Sequence, residues 1–334
     1  MKYRIFAVFV LSVLALNLGG STFADSKMKK TGANELVSLL PASDGVMTLD
    51  VKRFFGEALP RLLSGNQPML AKITGEIDKF QEKSGIDIRK FEYIAAGVTS
   101  RRVSEKKYDV EPVVIARGQL SSAALIGAAK LASNGKYSEE RFGERTIYIF
   151  TGTKIPANDT ANSVPDVIAV TIIDQTTVAF GTLERVRQTL EAKTKVGLDL
   201  TSLLERSPTA VTSFAAKLPA GMKSFMPLEN DELGKNIDAI QYVYGNADVS
   251  IDRASIHMTA RTLQNAQAKG LHETLEGLQM IGKAFLGNAK GADKQVFARM
   301  IENVKFSVRA NEVMFDLQVP QSDIDILVGS FKQK

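Results

Sequence analysis

The sequence predicts an α+β protein made of two related units, each a mainly antiparallel sheet covered by helices. Three observations point there: short strand-like runs bounded by turn signals, longer stretches with apolar residues three and four apart, and a second half that repeats the order of the first.

The elements follow in order. Residues 5–18 form an apolar run behind Lys2 and Arg4, and small residues lead to Ala24. That is the pattern of a secretory signal, and the run is shorter than the about 20 residues a spanning helix needs. The expectation is an exported protein, periplasmic or extracellular, cleaved near Ala24, with a polar linker over 25–34. A first unit over 35–197 opens with the turn Leu40-Pro41-Ala42-Ser43-Asp44 and a strand ending Leu49-Asp50-Val51. Phe54, Phe55, Ala58, Leu59, Leu62 and Leu63 then keep helical spacing. After the break at 64–68, Met69, Ile73, Ile77 and Phe80 share one face of a second helix that Gly85 stops. Strands are expected over 93–103 and 112–119, a helix from Ser121 or Ser122 to Leu131, and strands over 147–150 and 167–173 around a polar loop. A tight turn at Asp174-Gln175 leads to a strand over 177–181, and Thr182 caps a helix carrying Val186 and Leu190.

The second unit, 198–334, begins again. Ser202-Leu203-Leu204 matches Ser38-Leu39-Leu40, and a strand ending Ala260-Arg261 matches one ending Ala116-Arg117. A long helix from about Asn265 to Leu286 presents Leu271, Leu275, Leu278, Ile281 and Phe285, and Asp293 is read as the cap of another. A hairpin turning at Asn311 and a helix near Ser322 echo residues 167–190. The reading is an internal duplication of about 150 residues per copy.

The turn Leu40-Pro41-Ala42-Ser43-Asp44, the segment Gly85-Ile86-Asp87-Ile88-Arg89 before Ala96-Gly97, and the hairpin-then-helix over 174–190 resemble uncharacterised secreted bacterial envelope proteins, of the domain-of-unknown-function type, with duplicated α+β units. The resemblance implies the fold and an envelope setting. It implies no catalytic, cofactor or metal residues.

Composition narrows function. There is no cysteine, so disulfides, thiolate metal sites, a cysteine nucleophile and a lipid-bearing cysteine are excluded. The formal charge is +5, and without Lys2 and Arg4 the exported chain keeps +3. The basic groups at Lys27, Lys29 and Lys30, and at Arg101, Arg102, Lys106 and Lys107, are short and not interleaved with aromatics. Nucleic acid is therefore not an expected partner, and membrane contact is at most peripheral.

Reactive constellations are sparse. His257 shares the polar face of its strand with Ser255, Thr259 and Arg261 because side chains alternate, and it is read as a solvated position. His272-Glu273-Thr274-Leu275-Glu276 departs from the zinc-protease helix motif where the second histidine is required, leaving an ordinary pair one turn apart. Ser133–Lys136 and Ser26–Lys29 match a serine-x-x-lysine pattern without its context, and Asn158-Asp159-Thr160 is read as a plain polar loop. No catalytic, cofactor or metal residue is expected. Gly270, Gly277, Gly282 and Gly287 punctuate the long helix, and close packing is the expected reason. The functional expectation is a non-enzymatic binding or interaction protein whose partner is an envelope protein. One alternative is a carrier of a lipid or other apolar ligand lined by Met258, Leu275, Leu278 and Ile281. Another is a hydrolase with an unrecognised site.

Overall fold

A computed structural model describes residues 32–104, 107–151, 167–218, 231–287 and 290–330. The expected signal at 1–24, most of the linker, the sequon and most of the polar loop before residue 167 lie outside them. The chain forms two compact units, one of residues 32–52 and 72–202, the other of residues 53–71 and 203–330. The chain thus enters the second unit twice. The early visit, residues 53–71, departs from the single boundary read at 197/198, and residues 32–34, read as linker, already belong to the helix Gly32–Val37.

Among the described residues the first unit holds seven strands: β1 (Gly45–Asp50), β2 (Phe91–Ser104), β3 (Lys107–Gly118), β4 (Tyr137–Phe142), β5 (Arg145–Thr151), β6 (Val167–Ile172) and β7 (Thr177–Gly181). They are antiparallel in the order β1-β2-β3-β7-β6-β5-β4. Thr182 caps the helix Leu183–Glu191, accepting from the Arg185 amide at 3.4 Å. That helix folds back onto the sheet, where Val186 joins Ile147 and Ala169, with Leu183, Leu190, Ile149 and Phe142 around them.

Its third residue, Arg185, is buried and clamps the opening turn. One guanidinium nitrogen donates to the Ala42 carbonyl and the Gln188 amide oxygen, both at 2.7 Å, and the other to Ser43 Oγ at 2.7 Å. Asp44 Oδ2 accepts from the Ser100 amide at 2.8 Å, fixing the turn to β2. Gly97 is required there, because a Cβ would stand 2.5 Å from Ser43 Oγ.

The second unit holds β8 (Thr212–Lys217), β9 (Ile240–Val249), β10 (Arg253–Thr262), β11 (Lys305–Arg309) and β12 (Glu312–Pro320), antiparallel in the order β8-β9-β10-β12-β11. Without the β4–β5 hairpin, the first unit reads β1-β2-β3-β7-β6, the same path. The repeated arginines occupy equivalent places: Arg117 pairs with Tyr93 and Thr177, and Arg261 with Tyr242 and Glu312. The long helix Asn265–Leu286 buries Ala268 and Leu271 on Val313, with Ile240, Ala260, Leu275 and Val308 alongside.

The helix after the last strand differs between the units. β12 has 9 residues where β7 has 5, so the helix Gln321–Ser330 starts roughly 13 Å further along the strand direction. It packs on the helix Ala292–Asn303, where Arg299 meets Asp323 at 2.6 Å, and on residues 53–71, where Asn66 donates to the Val328 carbonyl at 3.0 Å. Asp293 is not the cap of Ala292–Asn303; Gly291 holds that place and Asp293 stands in the first turn.

Candidate functional surfaces of the second unit

Directly opposed residues of antiparallel strands share a face, so register compares the two sheets row by row. In the first unit, one row runs Gly97, Val113, Gly181, Ala169, and the next Ala95, Ile115, Ala179, Thr171. These are mostly small or apolar, and the helix Leu183–Glu191 covers them. The equivalent rows of the second unit run Asn246, His257, Asp316, Lys305 and Tyr244, Thr259, Met314, Ser307. With its terminal helix displaced, this face has become polar.

Most of its polar groups are paired. His257 Nδ1 stands 2.8 Å from Asp316 Oδ1, across the ladder. The imidazole is not the solvated position read from the sequence: its side chain is 16% exposed, and burial pushes its pKa down to about 4. Burial also raises the Asp316 carboxyl. At neutral pH the ring is uncharged and its Nδ1–H donates to the carboxylate. Beside this pair, Arg261 donates to Glu312 Oε1 at 2.9 and 2.7 Å, and Arg206 reaches both Glu312 and the Tyr244 hydroxyl. Burial works against the charge of Glu312, but the hydrogen bond from Arg261 prevails and holds its pKa below the usual range. Asn246 donates to Ser207 Oγ at 2.6 Å. The cleft lined by His257, Arg206, Tyr244, Asn246 and Glu312, with Leu203 and Met314, encloses about 20 Å³, room for about one water molecule. It supplies an acid-oriented imidazole but no space for an organic substrate.

The first unit has a wide, shallow depression of about 650 Å³ between the helix start at Ser121 and the β6–β7 turn. Its main polar groups are engaged in the fold: Ser122 Oγ donates to the Asp174 carbonyl at 2.7 Å, and Arg145 to the Ile173 carbonyl at 2.7 Å.

The remaining surface is apolar. Along Asn265–Leu286, one side of the helix passes through Gly270, Thr274, Gly277, Leu278, Ile281, Ala284 and Phe285. At its first two positions the helix Asp231–Asp238 covers it, with Asn236 Nδ2 3.3 Å from the Gly270 carbonyl oxygen and 2.8 Å from Thr274 Oγ1. Beyond them it is bare: Leu278 is 44% exposed, Ile281 54% and Phe285 82%. The opposite flank is held down by Gln279, which donates to the Ile301 and Val304 carbonyls at 2.6 and 2.8 Å, and by Gly282, whose Cβ position lies 3.3 Å from Ile301.

The apolar lining expected of a carrier therefore does not assemble. Leu275 packs into the core with Ala260 and Val313, while Leu278 and Ile281 point outward, and neither they nor Met258 line the clefts above. Helical periodicity places residues on a side of a helix; it does not say whether that side is covered. Close packing accounts for Gly270 and Gly282 but not for Gly277, around which there is open space. His272 and Glu276 form the expected pair one turn apart, at 3.5 Å. Among the described residues no group of three or more acids or histidines could hold a metal ion.

Fold and surfaces define a two-unit α+β protein with paired polar groups on one sheet face and a bare apolar stripe on its long helix. No protein-family model matches the chain, and no curated protein does. Among solved structures it is similar to TP0453. Crystal form III is 10% identical with a TM-score of 0.44, covering 91% of this chain and 100% of that one. Crystal form IV is 10% identical at 0.45, covering 90% and 100%, and form I is 12% identical at 0.43, covering 91% and 99%. No residue role is carried over from them.

Proposed function

We propose that the protein is an exported, non-enzymatic binding protein of the cell envelope that engages its partner through the helical face of its second unit. The observation that carries this is the stripe Leu278, Ile281, Phe285, exposed on a helix whose other flank is well packed. Large apolar side chains gathered on one exposed stripe mark interaction surfaces, because leaving them in water forfeits about 1.5–3 kcal/mol each relative to burial. The polar sheet face supports the same reading: His257, Asp316, Arg261 and Glu312 are engaged with one another rather than gathered around a substrate-sized cleft. Export rests on the sequence pattern of residues 1–24. A photo-reactive phenylalanine analogue at 285, activated in producing cells, is expected to give a discrete adduct that the same analogue at exposed Leu131 does not. Indistinguishable adducts at both positions would refute the proposal.

A further inference from the structure

Resting on that reading, we infer that the occupant of the stripe is an anionic lipid surface, on which the second half of the helix Asn265–Leu286 lies flat. Three features select it. The stripe is the outer side of a helix and borders neither cleft, so it offers a convex ridge that suits a soft interface better than a ligand groove. Its residues are leucine, isoleucine and phenylalanine, and residues 277–287 contain no tryptophan, tyrosine or arginine, the side chains that dominate protein–protein hot spots. Charge agrees as well: from 277 to 292 there is no aspartate or glutamate, while Lys283 and Lys290 are exposed. Apolar side chains reaching the headgroup–acyl boundary with lysines at headgroup level describe an in-plane amphipathic helix.

The arrangement also explains the bare Gly277. No neighbour requires it, and it spares the stripe a side chain one turn before Ile281, at the point where the anchored first half of the helix meets the exposed second half.

The test is flotation of the chain beginning at Asp25 with vesicles of phosphatidylcholine alone or with 30% (about one lipid in three) phosphatidylglycerol, at low and high salt. Binding is expected to the anionic vesicles only and to weaken with salt. Lys283→Gln with Lys290→Gln should lower affinity roughly thirtyfold, at about a factor of five per lysine. Ile281→Asp with Phe285→Asp should abolish flotation while leaving the circular dichroism unchanged, and Leu131→Asp, on an exposed position of the first unit, should float as the parent does. Equal flotation of the stripe variant and the parent, or binding indifferent to lipid charge, overturns the inference. So does an absence of flotation; if the photo-reactive group at 285 still captures a defined protein, the binding face stands and only its lipid occupant falls. Without adduct or flotation, both readings fail. A stripe shielded from a water-soluble probe without lipid would also overturn the inference.

Discussion

Replacing Arg185 separates what a buried charge contributes to stability from what it contributes to geometry. The guanidinium is buried without a carboxylate in hydrogen-bond contact; burial depresses its pKa, and Glu111 and Asp44 counter this only through their charge. Its bonds go to the Ala42 carbonyl, Ser43 Oγ and Gln188, all neutral, and its Nε has no partner. Arg185→Met keeps most of the volume. It takes the donor from three part-buried acceptors, at about 1–2 kcal/mol each, but it also removes the several kcal/mol cost of desolvating a cation. The net change expected is a loss of only about 1–2 kcal/mol. Arg185→Ala loses the same bonds and opens a cavity as well, so about 3–5 kcal/mol is expected. Urea denaturation followed by circular dichroism would measure both, and hydrogen exchange at the Asp44 and Ser100 amides would assign the loss to the first unit, since two units need not unfold together. A Met variant as unstable as the Ala variant would refute the reasoning, because the charge itself would then be the stabilising element.

Further outcomes follow from the second unit and its glycines. His257 titrates at about 4 when folded and near 6.5 when unfolded, so the folded state binds fewer protons between those values and stability falls as pH drops through that window. Asp316, raised by burial, works in the opposite sense; His257→Gln should therefore flatten or reverse the acid slope of a denaturation series, and an unchanged slope would exclude the histidine as its source. Arg299→Ala leaves the buried Asp323 carboxylate without its partner and should destabilise this end of the unit, seen as faster hydrogen exchange over the helix Gln321–Ser330. Gly277→Ala meets nothing and should stabilise by about 0.5–1 kcal/mol in urea denaturation, whereas Gly245→Ala places a Cβ 2.1 Å from the His257 carbonyl oxygen and should destabilise strongly in the same assay.

Elements whose apolar residues face the core were legible in the sequence. The long helix was read at its observed limits, and the hairpins turning at Asp174 and Asn311 follow from turn-forming side chains between alternating strands. Strand β4 was not legible, because Glu139, Glu140 and Arg141 give an outermost strand no apolar pattern to display. Nor was the passage of residues 53–71 into the second unit, since the helical spacing of Phe54, Phe55 and Leu59 does not name the surface they pack on. At the candidate surfaces, alternation placed His257 with Thr259 and Arg261, but its partner Asp316 comes from strand register 59 residues away. Leu271, Leu275, Leu278, Ile281 and Phe285 were grouped as one face. Leu271 packs on Val313 and is buried while Phe285 is bare, a difference set by what covers each turn rather than by periodicity.

The absence of native cysteine allows a single thiol to report one position without background. The most direct measurement is the emission of a polarity-sensitive dye on Phe285→Cys, compared with the same dye on Leu198→Cys, as anionic vesicles are added. A blue shift at 285 that is quenched by lipid-borne quenchers, with no change at 198, is the expected result. Equal responses at the two positions, or none at 285, would contradict the assignment of this stripe as the binding surface for lipid.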